Sequence, residues 1–374
     1  MNNLNKKQKI ILGMSGGVDS SVCAYLLKSQ GYDVIGLFMQ NWDPYVNFDF
    51  LGQVSDDQKT CDAQKDFSDA SAVAKKLNLP IYHIEFIQKY WDDVFKYVIA
   101  EYKAGNTPNP DVLCNKYIKF DAFINYAKQH FGCDKIAMGH YANVEFANNQ
   151  YYLTKALDED KDQTYFLCWL NQEQLSKIVF PIGNLKKTEV RKIAEKQNLD
   201  IWNKKDSTGI CFIGERKFNE FLKNYIKVKP GKIVDIETNK TLGKHDGIMF
   251  YTIGQNRDLG LGGQQCKYFV CKKDIKKNIL YVASEKTRAK YLISNYCQTK
   301  NFNWINDYEQ WIGKKIQVRF RHRMKLIDAN FEVVNDKVII NYEASIGVTK
   351  GQFAVLYSGR FCLGGGIIDK VKFK

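Results

Sequence analysis

Residues Met14–Ser21 read MSGGVDSS, which puts two glycines, a carboxylate and three serines in one short stretch. An apolar run, KIIL (Lys9–Leu12), precedes it and VCAYLLKSQG follows. KIIL is short and rich in β-branched residues, as in a strand covered on both faces. Val18, Val22 and Leu26 recur every four residues, an apolar stripe that predicts a helix ending near Gly31. A glycine turn opening onto a helix N-terminus aims free N–H groups and the positive dipole end at one point. The hydroxyls of Ser15, Ser20 and Ser21 add donors. This is chemistry for an anion, and a phosphate suits it best. The lysine of the GxxxxGK[ST] loop is absent, so this is not the usual P-loop.

Two cysteines stand in stretches of a different kind. Thr107–Phe120 reads TPNPDVLCNKYIKF, where two prolines and two asparagines fix an irregular loop. That loop delivers Asp111 and Cys114 just before a predicted helix, IKFDAFINYA. A helix N-terminus and the nearby Lys116 and Lys119 would favour a thiolate there. Asp206–Gly214 reads DSTGICFIG, with Cys211 flanked by glycines and followed by a second predicted helix, RKFNEFLKNYI. Two cysteines so placed could meet as a redox pair.

The elements that must hold these residues alternate over the first half. DVIGLFM (Asp33–Met39), IYHIEF (Ile81–Phe86) and KIAMGH (Lys135–His140) read as buried strands, with FSDASAVAKKLN and IKFDAFINYAKQHFG as helices between them. That alternation predicts right-handed crossovers and a parallel, doubly wound sheet. Ligands then bind beyond the carboxyl ends of the strands, which makes Met39 and Gly139 candidates for an adenosine pocket. After about residue 215, KPGKIVDIETNKTLGKHDGIMFYTIGQNRDLGLGG reads as a small β-rich module. From about residue 290, KIQVRFRHR, DKVIINY, FAVLYSG and FCLGGGII suggest a closed or nearly closed antiparallel barrel. The expected division is 1–218, 219–288 and 289–374. In QVRFRHR, strand alternation would put Arg319, Arg321 and Arg323 on one face and His322 on the other. Contact of both Arg321 and His322 with one partner would need a bulge or a strand end.

A chain of 374 residues can bury two or three cores. No stretch reaches the roughly 18 apolar residues of a membrane helix. The basic start, MNNLNKKQKIIL, leads into too short an apolar run for a signal peptide, so cytoplasm and no membrane are expected. The net charge of +14 permits a polyanionic partner, although Lys and Asn are abundant throughout and the first arginine is Arg191. Ten cysteines without a CxxC pair argue against a disulfide framework and a zinc ribbon. Most, including Cys23 and Cys168, should be buried and inert. No metal ligands are assigned.

MSGGVDSS resembles the SGGxDS loop of enzymes that split ATP between its α- and β-phosphates to adenylate a carbonyl or carboxyl oxygen. TPNPDVLCNKYIKF, KDQTYFL, KKDSTGICFIGERKF and CLGGGII together resemble the tRNA-specific 2-thiouridylase family, over essentially the whole chain. The resemblance implies ATP, with Mg²⁺ to screen its phosphates, and sulfur in place of the C2 oxygen of a wobble uridine in the anticodon. It implies an ATP site of Gly13, Met14, Ser15, Gly16, Gly17, Val18, Asp19, Ser20, Met39 and Gly139. It makes Cys114 the nucleophile and Cys211 the persulfide carrier, loaded by a sulfur-donor protein. Asn109, Pro110 and Asp111 would meet the target base, with Asp111 moving a proton. Lys161, Asp162 and Gln163 would contact tRNA, with His140, Arg321, His322 and Gln352 as further candidates.

Asn106, Lys155 and GQNRDLG (Gly254–Gly260) depart from the family's usual Arg, Arg and GQRKGLG. Those changes bear on tRNA contacts, since Lys lacks the bidentate geometry of Arg. An amidating synthetase of the same loop class would need no cysteine pair. A non-catalytic tRNA-binding protein would keep only a vestigial nucleotide site.

Overall fold

The computed structural model describes residues 7–50, 62–205, 218–263 and 266–373. Cys211 lies outside the described residues. Strand β1 (Lys9–Gly13) leads through the glycine turn into helix α1 (Val18–Ser29). Strand β2 (Asp33–Gln40), helix α2 (Asp62–Lys76), β3 (Ile81–Glu85) and the two-residue β4 (Ile136–Ala137) follow. With β7 (Ile178–Val179), these strands form a parallel sheet in the order β3-β2-β1-β4-β7. β1 is buried from Ile10 onward, as its apolar run requires. IYHIEF differs from expectation. It forms the sheet edge, so Ile84 is buried while Tyr82 and His83 face out. KIAMGH contributes only two strand residues before turning away.

Between β4 and β7 the chain forms a hairpin, β5 (Asn143–Ala147) and β6 (Gln150–Thr154). β6 pairs with β17, so a hairpin from the first half completes a sheet of the last third. The central module is a four-stranded sheet of β8 (Gly231–Asp235), β9 (Thr241–His245), β10 (Tyr268–Asp274) and β11 (Ile279–Ser284). The C-terminal strands are β12 (Ile293–Trp304), β13 (Ile316–Arg319), β14 (Ile327–Val334), β15 (Lys337–Ile346), β16 (Phe353–Ser358) and β17 (Phe361–Phe373). They run β12-β15-β14-β13-β16-β17, and β17 pairs back onto β12 to close a six-stranded antiparallel barrel. Closure leaves those strands no open edge.

Residues 164–170 wedge between sheet and barrel. The Tyr165 hydroxyl donates to the carbonyls of Phe320 (3.0 Å) and Phe353 (3.2 Å), and Trp169 Nε1 donates to that of Gly365 (2.9 Å). Val112, Cys114, Tyr165, Phe353 and Tyr357 belong to one buried apolar cluster. The cysteine helix and the barrel therefore share a core. Among the described residues, no helix is long and apolar enough to cross a membrane.

Candidate active site

All five strands run parallel, but β2 and β3 are added on one side of β1 and β4 and β7 on the other, so the strand order reverses between β1 and β4. The loops after β1 and β4 diverge there and leave a crevice at the carboxyl ends of the strands. The glycine turn occupies it. Gly16 has φ +70°, and a Cβ there would lie 2.2 Å from the Asp66 carbonyl oxygen on α2, so glycine is required. No side chain caps α1 at Gly17. Ser20 Oγ donates to the Gly17 carbonyl (3.1 Å), accepts from the Ser15 N–H (3.2 Å) and lies 3.3 Å from Ser15 Oγ. An uncapped helix start beside two hydroxyls fits a phosphate. Gly139 packs against this start: a Cβ there would come within 3.0 Å of Ser20 N. Met39 lies on the same side, its methyl 3.7 Å from where a Gly13 Cβ would be. The expected nucleotide residues thus converge on one crevice.

Sequence reasoning missed what faces the turn. Asp19 accepts two hydrogen bonds from Lys187 Nζ (2.7 and 2.9 Å) and one from the Tyr141 hydroxyl (2.9 Å). Lys187 is buried at the start of the helix Lys187–Lys196, with its ammonium 5.9 Å from the Tyr141 ring centre. Gln163 Oε1 accepts from the Tyr141 N–H (2.9 Å), which links the KDQ stretch to the same aspartate. Lys204 donates to the Gly16 carbonyl (3.1 Å), Asp66 (2.8 Å) and Asp69 (2.6 Å). Burial alone would lower its pKa, but the two carboxylates outweigh burial and hold Lys204 above its ordinary value. Neither lysine carries a local signal, because their partners lie far away along the chain. Among the described residues, no cluster of three or more His, Cys, Asp or Glu could hold a metal. Mg²⁺ would need phosphate oxygens beside Asp19, its usual mode with nucleotides.

Cys114 differs from expectation in one respect. The helix begins four residues earlier, at Pro110, so Cys114 ends the helical segment Pro110–Cys114 instead of preceding a helix. Asn109 caps it, its Oδ1 accepting from the N–H groups of Asp111 (3.2 Å) and Val112 (3.3 Å). Asn at the N-cap followed by Pro at the first helical position is a start signal already present in TPNP. Cys114 is buried. The helix continues through a π-helical segment, Asn115–Ala122, whose widened turns leave the Lys116 and Phe120 carbonyls accepting from Gln174 Nε2 (3.2 and 2.8 Å). Phe120 on that segment lies 5.5 Å from the ring of His140, the residue after Gly139. Burial, then the charge of Lys119, pushes the His140 pKa well below its ordinary range. His140 is therefore a neutral ring packed between Phe120 and Phe180.

The other expected tRNA residues divide. Asp162 is buried, accepting from Arg319 Nη1 (3.1 Å) and from Thr164 Oγ1 (2.8 Å to Oδ2), so its carboxylate is spent inside the protein. Strand β13 ends at Arg319, which breaks the alternation expected across QVRFRHR. Arg319 turns inward to Asp162, while Arg321 and His322 lie on the loop beyond. His322 packs against Phe166 with ring centres 4.6 Å apart and planes tilted by 35°. Burial and the charges of Arg323, Arg319 and Lys161 push its pKa down to about 4. These cations meet at an open groove of about 710 Å³ lined by Lys155, Lys161, Arg319, Arg323 and Lys325, with Glu159 and Asp160 on its wall. Gln352 lies elsewhere, against the loop that leads to Cys114.

A phosphate-fitting turn after the central strand of a parallel sheet, faced by a lysine–aspartate pair, defines a nucleotide-binding domain of the ATP-pyrophosphatase class. Residues 8–215 match the family model of the tRNA methyl transferase HUP domain, 219–284 the tRNA methyl transferase PRC-barrel domain, and 294–368 the aminomethyltransferase beta-barrel domain. The chain is 52% identical over 367 residues (97% of it, 95% of the relative) to the tRNA-specific 2-thiouridylase MnmA of Ureaplasma parvum serovar 3. It is 53% identical over 365 residues (96% and 98%) to that of Malacoplasma penetrans. The chain belongs to the tRNA-specific 2-thiouridylase family.

Proposed function

We propose that this protein is an ATP-dependent tRNA 2-thiouridylase that replaces the C2 oxygen of the wobble uridine with sulfur. The observation that carries this reading is the identity of 52% with a tRNA-specific 2-thiouridylase across 97% of the chain. ATP supplies the AMP group that makes the uridine oxygen a leaving group, with release of pyrophosphate. The N–H groups and hydroxyls of the Gly13–Ser20 turn hold its phosphates, and Met39 and Gly139 line its nucleoside side. Asp19 and Lys187 now neutralise each other. Once they part, a carboxylate is available for Mg²⁺ and an ammonium for a phosphate oxygen.

Asn109, Pro110 and Asp111 receive the flipped base, which must leave its stack to be reached. Cys211 carries the persulfide delivered by a donor protein. Attack of the Cys114 thiolate on the Cys211 sulfur releases the outer sulfur as hydrosulfide, which adds at C2 as AMP departs. The Cys114–Cys211 disulfide left behind is reduced by an external thiol. Lys161, Gln163, Arg321 and His322 hold the tRNA, in the cytoplasm.

ATP cleavage to AMP and pyrophosphate should depend on tRNA bearing a wobble uridine. Cleavage with an amine or carboxylate substrate and no tRNA would instead identify an amidating synthetase. No cleavage under any condition would leave a binding protein.

A further inference from the structure

Gln352 sits on the turn entering β16, yet its side-chain amide is engaged by the catalytic domain. Nε2 donates to the carbonyls of Thr107 (3.0 Å) and Pro108 (3.4 Å), and Oε1 accepts from Asn109 Nδ2 (3.4 Å). The Thr107 N–H returns a bond to the Lys350 carbonyl (3.0 Å). Gly351 makes the approach possible. It has φ +89°, and a Cβ there would lie 2.9 Å from Thr107 N.

The turn is itself anchored. The Gly351 N–H donates to the Ile368 carbonyl (2.9 Å), and the Ile368 N–H to that of Gln352 (2.8 Å). At its start, the Gly347 carbonyl accepts from Arg321 Nη2 (2.7 Å) and Thr349 Oγ1 (2.9 Å). Asn109, held by Gln352, caps the helix that carries Asp111 and Cys114. Hydrogen bonds thus run without a gap from Arg321 through the barrel turn to the cysteine helix.

We propose that Gln352 is a positioning residue: it latches the 107–109 loop to the barrel and so fixes Cys114 and Asp111. Nothing in this requires Gln352 to touch RNA, since both ends of its amide already have protein partners. The proposal rests on the reading of Cys114 as the nucleophile, and the test separates the two.

Gln352→Glu keeps the shape but turns the donor into an acceptor facing two carbonyls. In the full-length protein, three quantities are compared with wild type: iodoacetamide labelling of Cys114 by peptide mass mapping, tRNA affinity, and single-turnover thiolation. Labelling of Cys114 should accelerate about tenfold and thiolation slow about tenfold, the scale of losing two hydrogen bonds and gaining a repulsion. The tRNA Kd should stay within about twofold, because the lost bonds are internal to the protein. Weaker tRNA binding with unchanged Cys114 labelling would overturn the latch and make Gln352 an RNA contact. Cys297, buried in the barrel, is the internal control. Equal acceleration there would mean general loosening and would also overturn a local latch. Faster Cys114 labelling with undiminished thiolation would leave the latch standing and remove Cys114 from the chemistry.

Discussion

Asp19 is held by three hydrogen bonds from two residues, and this bears on how a mutant there should behave. Asp19→Asn keeps the Tyr141 contact but leaves the buried Lys187 facing a neutral amide. Tyr141 in turn touches Gln163, yet the groove cations lie on other elements. Pyrophosphate release should therefore be abolished while tRNA affinity changes by less than about twofold, read by filter binding beside the release assay. His322 gives a pH prediction. Its pKa is near 4 in the folded protein and near 6.5 when unfolded, so below pH 6.5 the unfolded chain binds a proton that the folded one refuses. The penalty is absent above about 6.5 and grows as pH falls towards 4. His322→Gln should flatten the fall of Tm across that window and leave Tm at pH 8 unchanged relative to its own plateau.

At the scale of elements, the glycine turn and the cysteine helix show what a sequence carries. KIIL and MSGGVDSS predicted strand, glycine turn and helix start because each is a local choice: β-branched residues, then glycines, then an apolar stripe. α1 indeed runs Val18–Ser29, with Val18 and Val22 buried. The edge position of IYHIEF and the inward turn of Arg319 were not legible, since each depends on a neighbour distant in sequence. Lys187 was missed for the same reason. Its carboxylate partner is 168 residues away. The early start of the cysteine helix was legible, in Asn109 and Pro110, and the reading of TPNP as loop concealed it. Gly16→Ala tests the turn. The substitution forces a left-handed φ and drives a Cβ into the Asp66 carbonyl, at a cost of about 1–3 kcal/mol. ATP affinity, by calorimetry, should fall more than tenfold while the denaturation midpoint moves modestly.

Across the whole molecule, barrel and sheet act as one body. They share a core, a strand pairing between β6 and β17, and the buried Arg319–Asp162 pair at 3.1 Å. Arg319→Met leaves Asp162 buried without its cation and should destabilise the protein by about 3–5 kcal/mol, read by urea unfolding. Double replacement with Asp162→Leu should recover much of that loss. If the groove above the pair is the polyanion contact, tRNA affinity should fall steeply with salt, and Lys161→Ala should reduce the log–log slope by roughly one. Sulfur transfer itself is tested most directly by mass analysis of nucleosides. Unmodified tRNA is incubated with protein, ATP, Mg²⁺ and a persulfide source, then digested. The account predicts 2-thiouridine at the wobble position, formed only when ATP is present and absent with Cys114→Ser or Cys211→Ser. Thiolation without ATP, or undiminished thiolation by the double cysteine mutant, would contradict it.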